Sequence, residues 1–244
     1  MKTKVNELSP SAYARIAGVL YLIITVAAIF AHFVVPEQLI VPGDAAATAV
    51  NITTSESLFR IGLVGSELII LLSEIVLSVV LYVLLKPVSK TLSLVAAVSR
   101  LAMTIIHGLN LLNYYFVLQL LKGGDYVTVF GQAQVNALVT LFLDAHSIGF
   151  TIGIAFLVPH VLILGYLIYQ SGYFPKVLGI LFVAAGVGYL FDTTGLLLVP
   201  SYTTTPGLIS MVIAIAEIAF PIWLLVKGVN IDRWQNRTLA LETA

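Results

Sequence analysis

LFRIGLVGSELIILLSEIVLSVVLYVLL, residues 58–85, is apolar apart from a few serines and three ionisable side chains, Arg60, Glu67 and Glu74. A hydrocarbon core about 30 Å thick is crossed by roughly 20 helical residues. The run is therefore long enough to span a bilayer and too apolar to form the surface of a soluble domain. Five more runs of similar character flank it, at 13–35, 92–121, 136–169, 177–199 and 207–227. The fourth run in chain order, 136–169, is too long for one straight crossing, which predicts interfacial outer turns or a bend at Pro159.

Composition agrees with this reading. Of 244 residues, 59% are hydrophobic and 10% charged, and the mean hydropathy is +1.04. A soluble domain carries about 25% charge, so water is the wrong solvent for most of this chain. The absence of cysteine excludes a disulfide scaffold, a thiolate metal site and cysteine catalysis. The 12 Lys+Arg against 12 Asp+Glu give no reason to expect nucleic acid as a partner.

The fold class that follows is all-α: a polytopic transmembrane bundle of six spans. Its expected orientation comes from the excess of Lys and Arg in cytoplasmic segments. With the N-terminus inside, Lys2, Lys4, Arg15, Lys86, Lys90, Lys176, Lys227, Arg233 and Arg237 all fall at or near the cytoplasmic face, and Lys122 falls in an outer loop. Both termini are thus expected inside, with tails at 1–12 and 228–244 around a membrane domain at 13–227. In the first outer loop, Pro42-Gly43 signals a turn and Asp44 an N-cap, which predicts a short surface helix near 44–56. Thr53 and Glu56 have capping-box spacing ahead of the second span.

Ionisable residues inside the spans carry the functional signal, because a charge at the centre of a membrane helix costs about 2.5 to 3.5 kcal/mol on the insertion scale. Glu67, Glu74, Arg100, His107, Asp144, His146, His160, Asp192 and Glu217 all lie within predicted spans. Arg60, Glu67 and Glu74 recur every seven residues, which returns them to nearly one side of the second helix. Arg100 and His107 do the same on the third, with Asn110 beside them. The short connector between these spans makes them antiparallel neighbours. Depth counting then predicts a Glu74–Arg100 ion pair and a contact from Glu67 to His107 or Asn110. His160 and Glu217 fall at the level of the ion pair, Asp192 at that of Glu67, and Asp144 and His146 toward the outside. The depths predict a polar cavity reached from the outer side.

The candidate ligand- or ion-binding set is therefore Glu67, Glu74, Arg100, His107, Asn110, His146, His160, Asp192 and Glu217. In it the acids bind or carry charge, Arg100 compensates, and His107 and His160 can titrate. No metal motif closes on one helix: His146 and His160 are fourteen residues apart, about 21 Å along an α-helix. Nucleophile elbow, phosphate loop and His-Glu-x-x-His patterns are missing too, so neither metal nor cofactor is expected. Gly149 with Gly153, Ala14 with Gly18, and Ala184 with Gly188 form small-residue faces that serve internal helix contacts or join copies in a homo-oligomer.

Several segments resemble a known family: ARIAGVLYLII at 14–24, VPGDAAA at 41–47, LYVLLKP at 81–87 and GYLIYQSGYFP at 165–175. They are similar to the bacterial membrane family catalogued as domain of unknown function 4386, across about residues 12 to 227. The resemblance implies a multi-spanning protein of the bacterial cytoplasmic membrane and brings no activity to carry over. The first functional expectation is a small transporter or binder of a cation, proton or small polar solute, with membrane lipid around it. The alternatives are an intramembrane hydrolase with interhelical His and acid ligands, which would have to collect them from several helices, and a structural or accessory subunit whose polar residues fix packing.

Overall fold

The computed structural model describes residues 8–242; Lys2 and Lys4 of the N-terminal tail lie outside them. The described residues form helices α1 (Pro10–Leu39), α2 (Ala45–Thr54), α3 (Glu56–Leu85), α4 (Lys90–Leu121), α5 (Asp125–Phe130), α6 (Gln132–Ser171), α7 (Lys176–Leu198), α8 (Gly207–Val226) and α9 (Ile231–Glu242), with no strand among them. Six of these, α1, α3, α4, α6, α7 and α8, are long and apolar enough to cross a membrane, and their limits fall within a few residues of the six apolar runs. Large apolar side chains stand exposed along them, among them Ile61, Leu72, Ile105, Leu198 and Val226. Such continuous apolar surface is the signature of a lipid-facing exterior.

Local chemistry sets the ends of the elements. Gly43 adopts φ 79°, and Asp44 Oδ1 accepts from the Ala47 amide at 2.8 Å, so α2 starts where the sequence predicts. The expected capping box is corrected. Thr53 lies inside α2, its hydroxyl donating to the Ala49 carbonyl at 2.8 Å, while Glu56 pairs with Arg60 one turn on at 2.6 Å. The ion pair is the stronger local option for the Glu56 carboxylate, and Ser55 leads into α3 without a side-chain cap. Helix α6 extends over 40 residues, about 60 Å, with Pro159 inside it.

Two compact units can be distinguished within the described residues. The first contains residues 8–22, 74–102 and 155–242. Here α8 packs along α7, and the fully buried Phe220 is met edge-on by Tyr21, Phe174 and Phe182 at ring separations of 5.9, 5.7 and 5.2 Å. Helices α6 and α7 touch backbone to backbone: a Cβ on Gly165 would lie 2.7 Å from the Val183 nitrogen, and one on Gly179 would lie 2.6 Å from the Gly165 carbonyl oxygen. Gly18 likewise receives Leu225, and Gly188 faces Ile209. Within this unit, then, two of the small-residue faces serve internal contacts.

Proline 159 illustrates how a membrane helix tolerates a break. Its ring nitrogen cannot donate to the Ala155 carbonyl. One residue along the same helix, Ser99 of α4 inserts its hydroxyl, accepting from the His160 amide at 3.2 Å and donating to the Phe156 carbonyl. A neighbouring side chain thus replaces a bond of the helical ladder, and does so at the residue that follows the proline.

The second unit contains residues 23–73 and 103–154. Its core joins Val35, Leu39, Ile52, Phe59 and Leu63 to Val117, Val135 and Val139. Both α1 and α3 switch to π-helical turns here, at Phe30–Val34 and Phe59–Gly65, and these two turns pack against each other. Gly62 permits the approach, since a Cβ there would lie 2.7 Å from Val35 Cγ2.

Candidate functional site

In the first unit, Glu74 of α3 and Arg100 of α4 form the predicted ion pair, with both side chains buried. The contact is bidentate: Arg100 Nη2 donates to Glu74 Oε1 at 2.8 Å and Nε donates to Oε2. Arg100 Nη1 lies 3.0 Å from His160 Nε2 and 3.4 Å from the Tyr21 hydroxyl, and the guanidinium carbon stands 5.2 Å from the Tyr21 ring centre. A guanidinium only donates, so His160 Nε2 accepts and its Nδ1 carries the proton, donated to the Ala96 carbonyl at 2.9 Å. The neutral ring is held in one tautomer by both neighbours. A cavity of about 10 Å³, room for a single water, borders His160, Ser78 and Ser93.

Also in this unit, Glu217 accepts from the Tyr189 hydroxyl, and Pro221 denies the Glu217 carbonyl its usual helical donor. Asp192 accepts from Tyr202 at 2.7 Å and Thr205 at 3.0 Å, both in the loop between α7 and α8. Desolvation, then the hydrogen bond to Asp192 and that residue's charge, push the Tyr202 phenol up to about 12. Asp192 is thereby anchored to its own loop. Tyr21, Ser99, Tyr189, Tyr202 and Thr205 are absent from the sequence-derived set, because hydroxyl-bearing residues give no spacing signal.

The second unit holds a different cluster. His107 of α4 approaches the Phe150 carbonyl with Nε2 at 3.1 Å, and its ring stacks on the Phe150 ring at 4.8 Å. Because a carbonyl only accepts, His107 Nε2 is the protonated nitrogen. Asn110 donates to the His146 carbonyl at 2.8 Å, and the His146 ring stacks on Tyr114 at 3.7 Å. Gly149 and Gly153 make this possible, since a Cβ at either would collide with Asn110 or His107. That small-residue face is a socket for two polar side chains.

Glu67 departs from expectation. The predicted contact to His107 or Asn110 is replaced by one to His32, whose Nε2 lies 3.4 Å from Glu67 Oε1. His32 belongs to the π turn of α1, packed on the π turn that precedes Glu67, and it also lies 4.7 Å ring to ring from Phe150. Counting depth along α3 and α4 alone could not reveal a partner on α1. The signal was available, since His32 is an ionisable residue in an apolar run like the others. Glu67 is only 2% exposed, and its Oε1 is buried with no hydrogen-bond donor.

The other sequence candidates fall outside these clusters. Arg60 pairs with Glu56 in an exposed position, and Asp144 is exposed. Within the first unit, Glu217 and its partner Tyr189 lie in electrostatic range of the Glu74–Arg100 pair, while Asp192 is held by its own loop. Within the second, His32 and His107 both lie against the Phe150 ring, with Glu67, Asn110 and His146 grouped beside them. Among the described residues, no group of three or more His, Cys, Asp or Glu could hold a metal ion.

The family model described as Domain of unknown function (DUF4386) matches residues 16–228. A protein of Archaeoglobus fulgidus, titled "Uncharacterized protein", is 32% identical over 166 residues, 68% of this chain and 83% of the relative. No solved structure matches significantly.

Proposed function

The chain belongs to the DUF4386 family, whose description assigns no activity, and from its own buried groups we propose that it takes up a proton at Glu67 as part of transport or sensing across the cytoplasmic membrane. It is a multi-pass membrane protein by its six apolar helices. One observation carries the reading: Glu67 Oε1 is buried, lacks a donor and faces a histidine nitrogen. A carboxylate oxygen kept dry and unmet is costly to a fold, and a transient partner explains why it is retained. One carboxylate oxygen and one imidazole nitrogen, with aromatic rings around them, offer few ligands to a metal cation or a larger solute. A proton needs only one acceptor on each side.

The Glu74–Arg100–His160 group supports a different role. Its carboxylate, guanidinium and imidazole satisfy one another, which suits a fixed brace between α3, α4 and α6.

Reconstitution into liposomes with a lumenal pH dye tests the proposal. An imposed pH gradient is expected to collapse faster with the wild-type chain than in empty vesicles, and Glu67→Gln is expected to return the rate to the empty-vesicle level. Unchanged flux in Glu67→Gln removes the assignment.

A further inference from the structure

The C-terminal end of α6 and helix α9, both in the first unit, enclose a basic pocket unrelated to Glu67. Helix α6 ends at Ser171, and the next residue, Gly172, adopts φ 74°. Arg233 Nη1 donates to the Gly172 carbonyl and Arg237 Nη2 to the Gln170 carbonyl, each at 2.8 Å. The two arginines are one turn apart on α9, so they share a face. With Ser171, Gly172 and Asn236 they line an open cavity of about 330 Å³.

Each guanidinium has five N–H donors in a planar fork. The bonds to α6 hold the forks in place and use one donor of each. Among the described residues, neither arginine has a carboxylate partner. Two fixed, uncompensated cations beside the exposed Asn236 amide match a phosphate oxyanion.

Aromatic anchors indicate where this pocket sits. The chain has two tryptophans, and both are bonded at this end: Trp223 Nε1 donates to the Gly228 carbonyl at 3.0 Å, and Trp234 Nε1 to the Leu84 carbonyl at 3.0 Å. The same Leu84 carbonyl accepts from the Tyr173 hydroxyl at 2.7 Å. Trp and Tyr gather at the headgroup level of a bilayer, where lipid phosphates lie, and basic pockets beside membrane helices bind anionic headgroups.

We propose that Arg233 and Arg237, with Asn236, bind the phosphodiester of an anionic phospholipid such as phosphatidylglycerol. The lipid clasps α9 to the end of α6.

Thermal-shift and native mass-spectrometry titrations of the full chain in detergent test this with three probes: phosphatidylglycerol, phosphatidylcholine and inorganic phosphate. Phosphatidylglycerol is expected to bind and raise Tm, and the other two to do neither at matched concentration. Arg233→Gln/Arg237→Gln is expected to weaken phosphatidylglycerol binding by about tenfold or more, the scale of one lost charge-assisted bond. Asn236→Glu keeps both bonds to α6 and sets a negative charge in the pocket, so it should weaken binding even if the double variant fails to fold. Equal binding of phosphatidylcholine, protection by inorganic phosphate alone, or wild-type affinity in Asn236→Glu overturns the proposal.

Discussion

Glu67 and Glu74 sit seven positions apart on one helix and have opposite energetic characters. Glu74 compensates a buried guanidinium, so removing it strands Arg100 without its counter-charge. Glu74→Leu is expected to cost about 3–5 kcal/mol, the usual penalty for breaking a buried pair, read as a lower Tm or denaturant midpoint. Joining it with Arg100→Leu should recover a large part of that loss, since replacing both partners by apolar groups is often near neutral. Glu67 has no donor on Oε1 to lose. Glu67→Leu should therefore leave Tm unchanged or raise it while abolishing proton flux. A large destabilisation by Glu67→Leu would mean that the carboxylate supports the fold. The Glu74–Arg100 pair was readable in the sequence because both partners recur on adjacent, antiparallel helices. For Glu67 only half of the pair was readable: His32 stands out as an ionisable residue in an apolar run, but the two π turns at which α1 meets α3 leave no mark in the sequence.

Elements were legible where their causes are local. The apolar runs predicted the six long helices, and Gly43 with Asp44 predicted the start of α2, since hydropathy, turn geometry and capping all act within a few residues. The π turns and the repair at Pro159 depend on neighbouring helices, so no window of sequence contains them. That repair makes a prediction about α6. Ser99→Ala leaves the His160 amide and Phe156 carbonyl without the bridging hydroxyl, and a loss of about 1–3 kcal/mol is expected. In a Pro159→Ala background the helix can close its own ladder, so the same Ser99→Ala change should cost much less; equal costs in both backgrounds would show that Ser99 acts elsewhere. Glycines give a second contrast. Gly165→Ala drives a Cβ into the Val183 backbone and should destabilise by about 1–3 kcal/mol through overpacking. Gly108→Ala, whose nearest neighbour would stand at 3.9 Å, should instead stabilise α4 by about 0.5–1 kcal/mol. Thermal melts of the two variants in the same detergent separate these signs.

At the scale of the whole molecule, the distribution of Lys and Arg sets which way the chain is expected to face. Six crossings return the chain to the side where it began, so one loop is enough to orient both ends. The short connector with Lys86 and Lys90, the start of α7 with Lys176, and the region from Lys227 through Arg237 follow alternate spans and so share one side. That is the bias which retains a segment in the cytoplasm. Helix α2, with no Lys or Arg, falls on the opposite side. The native chain contains no cysteine, so a single introduced thiol reports its own location without background. Thr54→Cys in α2 and Gln235→Cys in α9 are both exposed positions. In intact spheroplasts a membrane-impermeant maleimide is expected to label Thr54→Cys at once, and Gln235→Cys only after the membrane is opened. The reverse pattern would put the basic face outside, and labelling of both before opening would contradict the odd number of crossings between them. Because the anionic cytoplasmic leaflet draws polybasic segments to it, the expected pattern also brings Arg233 and Arg237 to the leaflet whose surface potential favours their proposed lipid.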